Sequence, residues 1–263
     1  MSVAPRVRRR AGRALAVAVA AALAMIFAPA SLAAAAEPPQ QQADQALQEV
    51  ASGGGFVNSS IDEAGSYAFA VESDGTEYVV TARHVAPIGA LVYGPGGLLG
   101  QATATSIVRD ASYVRLNDAV PDSRIRIGTS PHGKALTAKS VGVAPRGSID
   151  MGQRVCHSGY ADTTQDAGGY VCGTVVGVPD TCETYHPYRA CRIAIERDDG
   201  QRVGWLGDSG GPVWEPVGDG KVRVLGVFTA VSVPDAQSSD RGYFVPAYDI
   251  LDDLGGDPVS GAA

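Results

Sequence analysis

One serine in this chain has the surroundings of a nucleophile: Ser209, in GWLGDSGGPVW from Gly204 to Trp214, follows an aspartate and precedes two glycines. A serine hydroxyl attacks poorly at neutral pH. Acyl transfer through it needs a histidine to take the proton and a carboxylate to orient that histidine and stabilise its charged form. The chain has four histidines, and His84, in YVVTARHVAP at the end of a β-prone run, is the one that a rigid element would hold. His132 in SPHGK and His186 in TYHPY sit among turn residues and read as solvated loop histidines. For the carboxylate, Asp110 in SIVRDASYVRL stands at the lip of an apolar run, unlike the aspartates of Gly- or Ser-rich turns. Taken alone, Asp110 reads more readily as a turn residue opposite Arg109; the bland alternative for Gly207–Gly211 is a Gly-Asp-Ser turn without chemistry.

The elements that must position these residues are strands. From Phe56 onward, short alternating or β-branched runs are separated by Gly, Asp and Pro turns. SYAFAVE and TEYVVTA flank Asp74-Gly75 as a hairpin, and PVWEPV and VRVLGVFTAV flank Gly218-Asp219-Gly220 in the same way. ALVYG, SYVRL, GYVCGTVVGV and CRIAIE are further strand candidates, and Pro246 and Gly255 bracket a short closing helix in VPAYDILDDLGG. Many short strands over some 200 residues imply an all-β sandwich or barrel pair.

Composition narrows the setting. A chain of 263 residues with 45% hydrophobic content can bury a real core. A net charge of −7 with no basic stripe past residue 13 argues against nucleic-acid binding through phosphates. Residues 1–36 carry five arginines, then ALAVAVAAALAMIFAPA, then the small residues SLAAAAE, the pattern of an export signal cleaved after Ala36. The apolar run is barely long enough to serve instead as an uncleaved anchor, and the arginines permit a twin-arginine route. Removing the signal leaves 16 basic against 28 acidic groups, a net −12. The mature chain is expected to be soluble, secreted, monomeric and without stable membrane association. Residues 37–55, polar and closed by three glycines, read as a linker or short pro-segment. The four cysteines, at 156, 172, 182 and 191, lack zinc-type pairing and suit two disulfides in an oxidising compartment. Three pairings are possible; the sequential one, Cys156 with Cys172 and Cys182 with Cys191, closes two short loops.

TARHV, RDASYVRL and GDSGGPV, in the order His, Asp, Ser, resemble the triad segments of the chymotrypsin-fold serine peptidases. The spacing, 26 residues from His84 to Asp110 and 99 more to Ser209, is similar to that of the compact bacterial branch of streptogrisins and alpha-lytic protease. VCHSGYADTTQDAGGYVCGTVVG resembles that branch's cysteine-bounded hairpin, with Cys156 and Cys172 as the bridge, and GYFVPAYDIL resembles its last strand and helix. The resemblance spans about 56–254. It implies two six-stranded antiparallel β-barrels, about 56–135 and 136–244, a short C-terminal helix and a tail at 255–263. It also implies Ser209 as nucleophile, His84 as general base then acid, Asp110 as its orienting carboxylate, and the N–H groups of Gly207 and Ser209 as oxyanion hole. Substrate is then a peptide or protein, and no metal or cofactor is called for.

By the same resemblance Val203 lies at the base of the specificity pocket, with Thr229, Ala230 and Val231 along its wall. An apolar Val203 removes the acidic partner of a Lys or Arg preference, which points to small or medium apolar side chains. Thr229 stands where a serine often bonds near the triad aspartate, and His157 where an arginine often pairs with the aspartate equivalent to Asp208. If His157 is that partner, loop order weakens as pH rises; otherwise it is a neutral core histidine. A serine esterase and a catalytically silent binding barrel are the other function classes compatible with these residues.

Overall fold

The computed structural model describes residues 55–58, 63–94, 97–117, 123–129, 135–161, 168–178, 184–185, 188–189, 192–231 and 241–260. The expected leader, most of the following linker, His132, His186, Cys182 and Cys191 lie outside them. No helix among the described residues is long and apolar enough to cross a membrane.

The first sheet is built from β1 (Gly55–Asn58), β2 (Glu63–Ser66), β3 (Ala70–Ser73), β4 (Thr76–Ala82), β5 (Leu91–Gly94), β6 (Gly97–Ser106) and β7 (Ala111–Leu116). The second takes β8 (Arg124–Thr129), β9 (Ala135–Val143), β10 (Arg154–Ser158) and β11 (Tyr170–Gly177). A two-residue ladder, β12 (Thr184–Tyr185) with β13 (Tyr188–Arg189), follows. Then β14 (Ile193–Glu196), β15 (Pro212–Gly218), β16 (Lys221–Val231) and β17 (Gly242–Pro246) complete the second sheet before helix α1 (Ala247–Leu254) and β18 (Asp257–Pro258). The first sheet runs β18-β3-β4-β7-β6-β5-β1-β2, and the second β15-β10-β11-β14-β17-β16-β9-β8. Because β15 also pairs with β16, six strands of the second sheet close into an antiparallel barrel. The all-β double-barrel architecture with one short C-terminal helix is therefore the one the sequence predicts.

Local chemistry accounts for the hairpins. Asp74 and Gly75 both take positive φ (51° and 69°), as do Asp219 and Gly220 (51° and 68°), giving the two-residue turns whose twist matches antiparallel strands. Strand β16 alternates at first and then runs buried from Val224 to Thr229, because it has neighbours on both sides and core on both faces. The β4–β7 ladder matters most for function: Ala82 pairs with Ala111, so the residues just past β4 and just before β7 emerge side by side. These residues are His84 and Asp110.

Two boundaries differ from the sequence expectation. Strand β8, expected in the first barrel, pairs with β9 in the second sheet, because β9 lies parallel along β16 and brings its hairpin partner with it. The expected tail is a strand: β18 pairs with β3, and Val259 N–H donates to the Ala70 carbonyl at 3.0 Å, which covers an open sheet edge. Strand β6 gave no sequence signal because GLLGQATATS fills its inner face with small residues such as Ala102.

Pro246 and Gly255 do bracket the helix; Gly255 takes φ 78° and its N–H bonds Leu251 O at 2.8 Å. Asp249 in its first turn is nearly buried and pairs with Arg109 at 3.3 Å and Arg146 at 2.9 Å. The helix thus latches onto the loop that carries Asp110.

Candidate active site

His84 and Asp110 meet as the β4–β7 register requires. His84 Nδ1 lies 2.9 Å from Asp110 Oδ2, and the His84 backbone N–H donates to Oδ1 at 3.0 Å. The carboxylate is fully buried, while the imidazole keeps 27% of its surface open. Arg83 N–H donates to the Asp110 carbonyl at 2.9 Å, closing the same corner through the backbone. Asp110 holds φ at 49°; the other described non-glycine residues with positive φ are the hairpin aspartates Asp74 and Asp219. This left-handed residue ends the four-residue turn from β6 to β7. Arg109 is not the partner of Asp110, since its guanidinium goes to Asp249 on the helix.

A third donor reaches Asp110 from the other sheet. Arg192, buried at the start of β14, places Nη2 3.2 Å from Oδ2. Thr229, which the resemblance places near the triad aspartate, donates its hydroxyl to the Tyr243 carbonyl at 3.4 Å instead. Arg192 went unnoticed in the sequence, although a charged residue at the lip of the apolar run RIAIE is the same signal that singled out Asp110.

Ser209 lies in the turn that precedes β15, packed against the ends of β2 and β4. Ser66 N–H donates to Ser209 O at 2.8 Å, and Ser66 Oγ donates to Gly207 O at 2.8 Å. Gly210 shows how close the approach is: a Cβ there would lie 2.2 Å from both Ser66 O and Thr81 Oγ1, and 3.0 Å from Ala82 N. Only glycine fits. Within the turn, Asp208 N–H bonds Trp205 O at 3.1 Å, Gly210 N–H bonds Phe228 O at 2.7 Å and Gly211 N–H bonds Asp208 O at 3.0 Å. The carbonyls of Gly207, Asp208 and Ser209 and the N–H groups of Asp208, Gly210 and Gly211 are thereby pinned. The N–H groups of Gly207 and Ser209 have no acceptor among the described residues.

Asp208 is buried, and backbone amides bind its carboxylate: Ala161 N–H to Oδ1 and Trp205 N–H to Oδ2, each at 3.0 Å. A Cβ on Gly159 would lie 2.0 Å from Oδ1, so the strand end after β10 must be bare for the carboxylate to enter. His157 is also fully buried, stacked on Phe228 at 4.2 Å, with Nε2–H donating to the Val203 carbonyl and Nδ1 without a partner among the described residues. Desolvation pushes its pKa below the usual histidine value, against a smaller upward pull from the nearby Asp208 charge. It stands beside Asp208 as a neutral ring.

The region assigned to specificity is apolar. Val203 and Thr229 are buried, Ala230 and Val231 half-buried. Phe228 fills its base: a Cβ on Gly204 would meet the ring at 2.6 Å, and one on Gly242 would meet the ring and Val203 Cγ1, each at 2.8 Å. Leu206, 94% exposed, stands beside Gly207. The cysteine-bounded hairpin is as expected: Cys156 and Cys172 face each other across β10 and β11 and are disulfide-bonded. The Cys182–Cys191 pairing falls outside the described residues.

No protein-family model matches the sequence, and no curated protein matches it. Solved structures do match. Thermobifida fusca Protease A superposes with a TM-score of 0.60 at 20% identity, over 81% of this chain and 99% of its own. The chain adopts the chymotrypsin fold. Cellulomonas bogoriensis chymotrypsin gives 0.57 at 22% identity over 81% and 99%. A glutamic acid-specific serine protease that uses a histidine triad in substrate binding gives 0.61 at 22% over 79% and 99%. In this chymotrypsin-fold chain, Asp110 meets Arg192, which precedes a strand of the second sheet, and the Ser209 turn packs against β2 and β4 of the first.

Proposed function

We propose that the chain is a secreted serine endopeptidase with a triad of Ser209, His84 and Asp110. The observation that carries this reading is a buried carboxylate orienting His84 at 2.9 Å just past β4, whose end packs against Gly210 of a turn in which the N–H groups of Gly207 and Ser209 have no acceptor among the described residues. Ser209 Oγ attacks the scissile carbonyl as its proton passes to His84 Nε2, and Asp110 holds the Nδ1–H and offsets the imidazolium charge. The carbonyl oxygen becomes an oxyanion received by the two N–H groups, a type of donor worth about 3 kcal/mol each. His84 returns the proton to the leaving amine; water then repeats the sequence on the acyl-enzyme and frees Ser209.

The apolar base formed by Val203 and Phe228, with Val231 at the wall, suits small or medium apolar side chains before the scissile bond. His157, next to this region, is buried and stacked on Phe228. The leader-like residues 1–36 and the Cys156–Cys172 bridge support export to an oxidising compartment.

Digestion of a peptide library by the purified protein tests the reading, with Ser209→Ala as control. Cleavage after Ala, Val or Leu that vanishes in the control is the expected result. Hydrolysis of nitrophenyl esters without peptide cleavage would replace it with an esterase, and no turnover of either would leave a binding barrel.

A further inference from the structure

We propose that Arg192 is a positioning residue of the triad, holding the Asp110 carboxylate in the plane that His84 needs. The inference rests on the peptidase reading above. Asp110 Oδ1 takes the His84 backbone N–H, while Oδ2 takes both the His84 ring N–H and the Arg192 guanidinium. Rotation of the carboxylate would strain all three bonds together. The hydroxyl best placed by chain position to share this task, that of Thr229, is turned to Tyr243 O.

The support for Arg192 is rigid. Its side chain is 5% exposed, and it opens β14, which is clamped between β11 and β17 through the Val175–Ile195 and Ile193–Phe244 pairs. His84 and Asp110 flank strands of the first sheet, whereas Arg192 belongs to the second. One guanidinium thus fixes the aspartate of one sheet to the sheet that carries the nucleophile turn. Because it stays protonated at every working pH, the clamp does not titrate away. It also shares the carboxylate charge with the imidazolium, so what Arg192 contributes is geometry rather than extra charge stabilisation.

The test is a kinetic cycle with R192M, R192K, D110N and D110N/R192M. Misplacing a triad partner by a fraction of an ångström to 1 Å is expected to lower kcat of R192M by about 100-fold, with KM within about twofold. Lysine, which keeps the charge and one donor, is expected to recover kcat to within about tenfold. If Arg192 acts only through Asp110, adding R192M to D110N changes kcat by less than about twofold. A folded R192M with unchanged or raised kcat, a loss confined to KM, or an undiminished effect in the D110N background would overturn the proposal. Should R192M fail to fold, D110N/R192M, which removes both buried charges together, is expected to fold; its failure would show that Arg192 serves packing alone and overturn the proposal as well. Wild-type protein that neither cleaves peptides nor reacts with a fluorophosphonate would instead defeat the peptidase reading. Thermal unfolding of the same four variants and wild type separates the cases, since it reads the Arg192–Asp110 coupling without any activity.

Discussion

Two buried aspartates are held in different company. Besides the His84 backbone N–H, Asp110 meets two side chains that carry or acquire positive charge, the His84 ring beside one sheet and Arg192 beside the other. The Asp208 carboxylate accepts the backbone N–H groups of Ala161 and Trp205, with the buried His157 ring nearby. A carboxylate bonded to an ionisable ring takes part when that ring gains a proton. One bonded to amides does not change with the reaction and serves as a peg for the loop. In the proposed peptidase, Asp110 belongs to the proton transfer and Asp208 to the shape of the oxyanion hole.

Substitutions can set the two aspartates against each other. Asp110→Asn leaves a similar shape but reverses the hydrogen-bond demand on His84, and kcat is expected to fall about 10⁴-fold with the fold intact by circular dichroism. Asp208→Asn forces an NH₂ toward one of the two amides and loosens the turn; losing one oxyanion donor is expected to cost about 10²- to 10³-fold in kcat. A rate loss from Asp208→Asn as large as that from Asp110→Asn would erase the distinction. Ser66→Ala removes the hydroxyl that pins Gly207 O and accepts Tyr160 N–H at 3.0 Å. A loss of about tenfold, the worth of one such bond, is expected in the rate of acyl-enzyme formation, measured by stopped flow.

The smallest effect at neutral pH belongs to His157, and it is one of stability. Its pKa is lowered in the folded state by burial, so below the ordinary value of about 6.5 the unfolded chain binds the proton more readily. Stability is therefore complete above that pH and lost as pH falls through it, at up to about 1.4 kcal/mol per unit. Urea unfolding between pH 7 and pH 5 is expected to show this slope, and His157→Phe is expected to flatten it. A slope of the opposite sign would mean that His157 is charged in the fold and pairs with Asp208.

Most of the architecture was visible in residue types whose local physics has one good solution. The Asp-Gly turns announced two hairpins, and Pro246 and Gly255 announced the helix. The Gly207–Gly211 stretch announced a turn under close approach, as Gly210 shows. What escaped notice depends on contacts distant in the chain. Strand β8 joins the second sheet only because β9 finds β16, β18 exists only because β3 has a free edge, and Arg192 matters only because it touches a carboxylate 82 positions away. Phe228, packed against Gly204 and Gly242, was hidden inside an apolar run where every residue looks like core.

In the proposed peptidase the site is assembled once the leader is gone, with Asp208 already bonded by the N–H groups of Ala161 and Trp205. Titration of the intact, mass-verified protein with a fluorophosphonate puts this directly to the test. One adduct per chain, mapped to Ser209, is expected before any cut within residues 56–254. No adduct in folded protein, or an adduct that forms only after proteolysis, would contradict it.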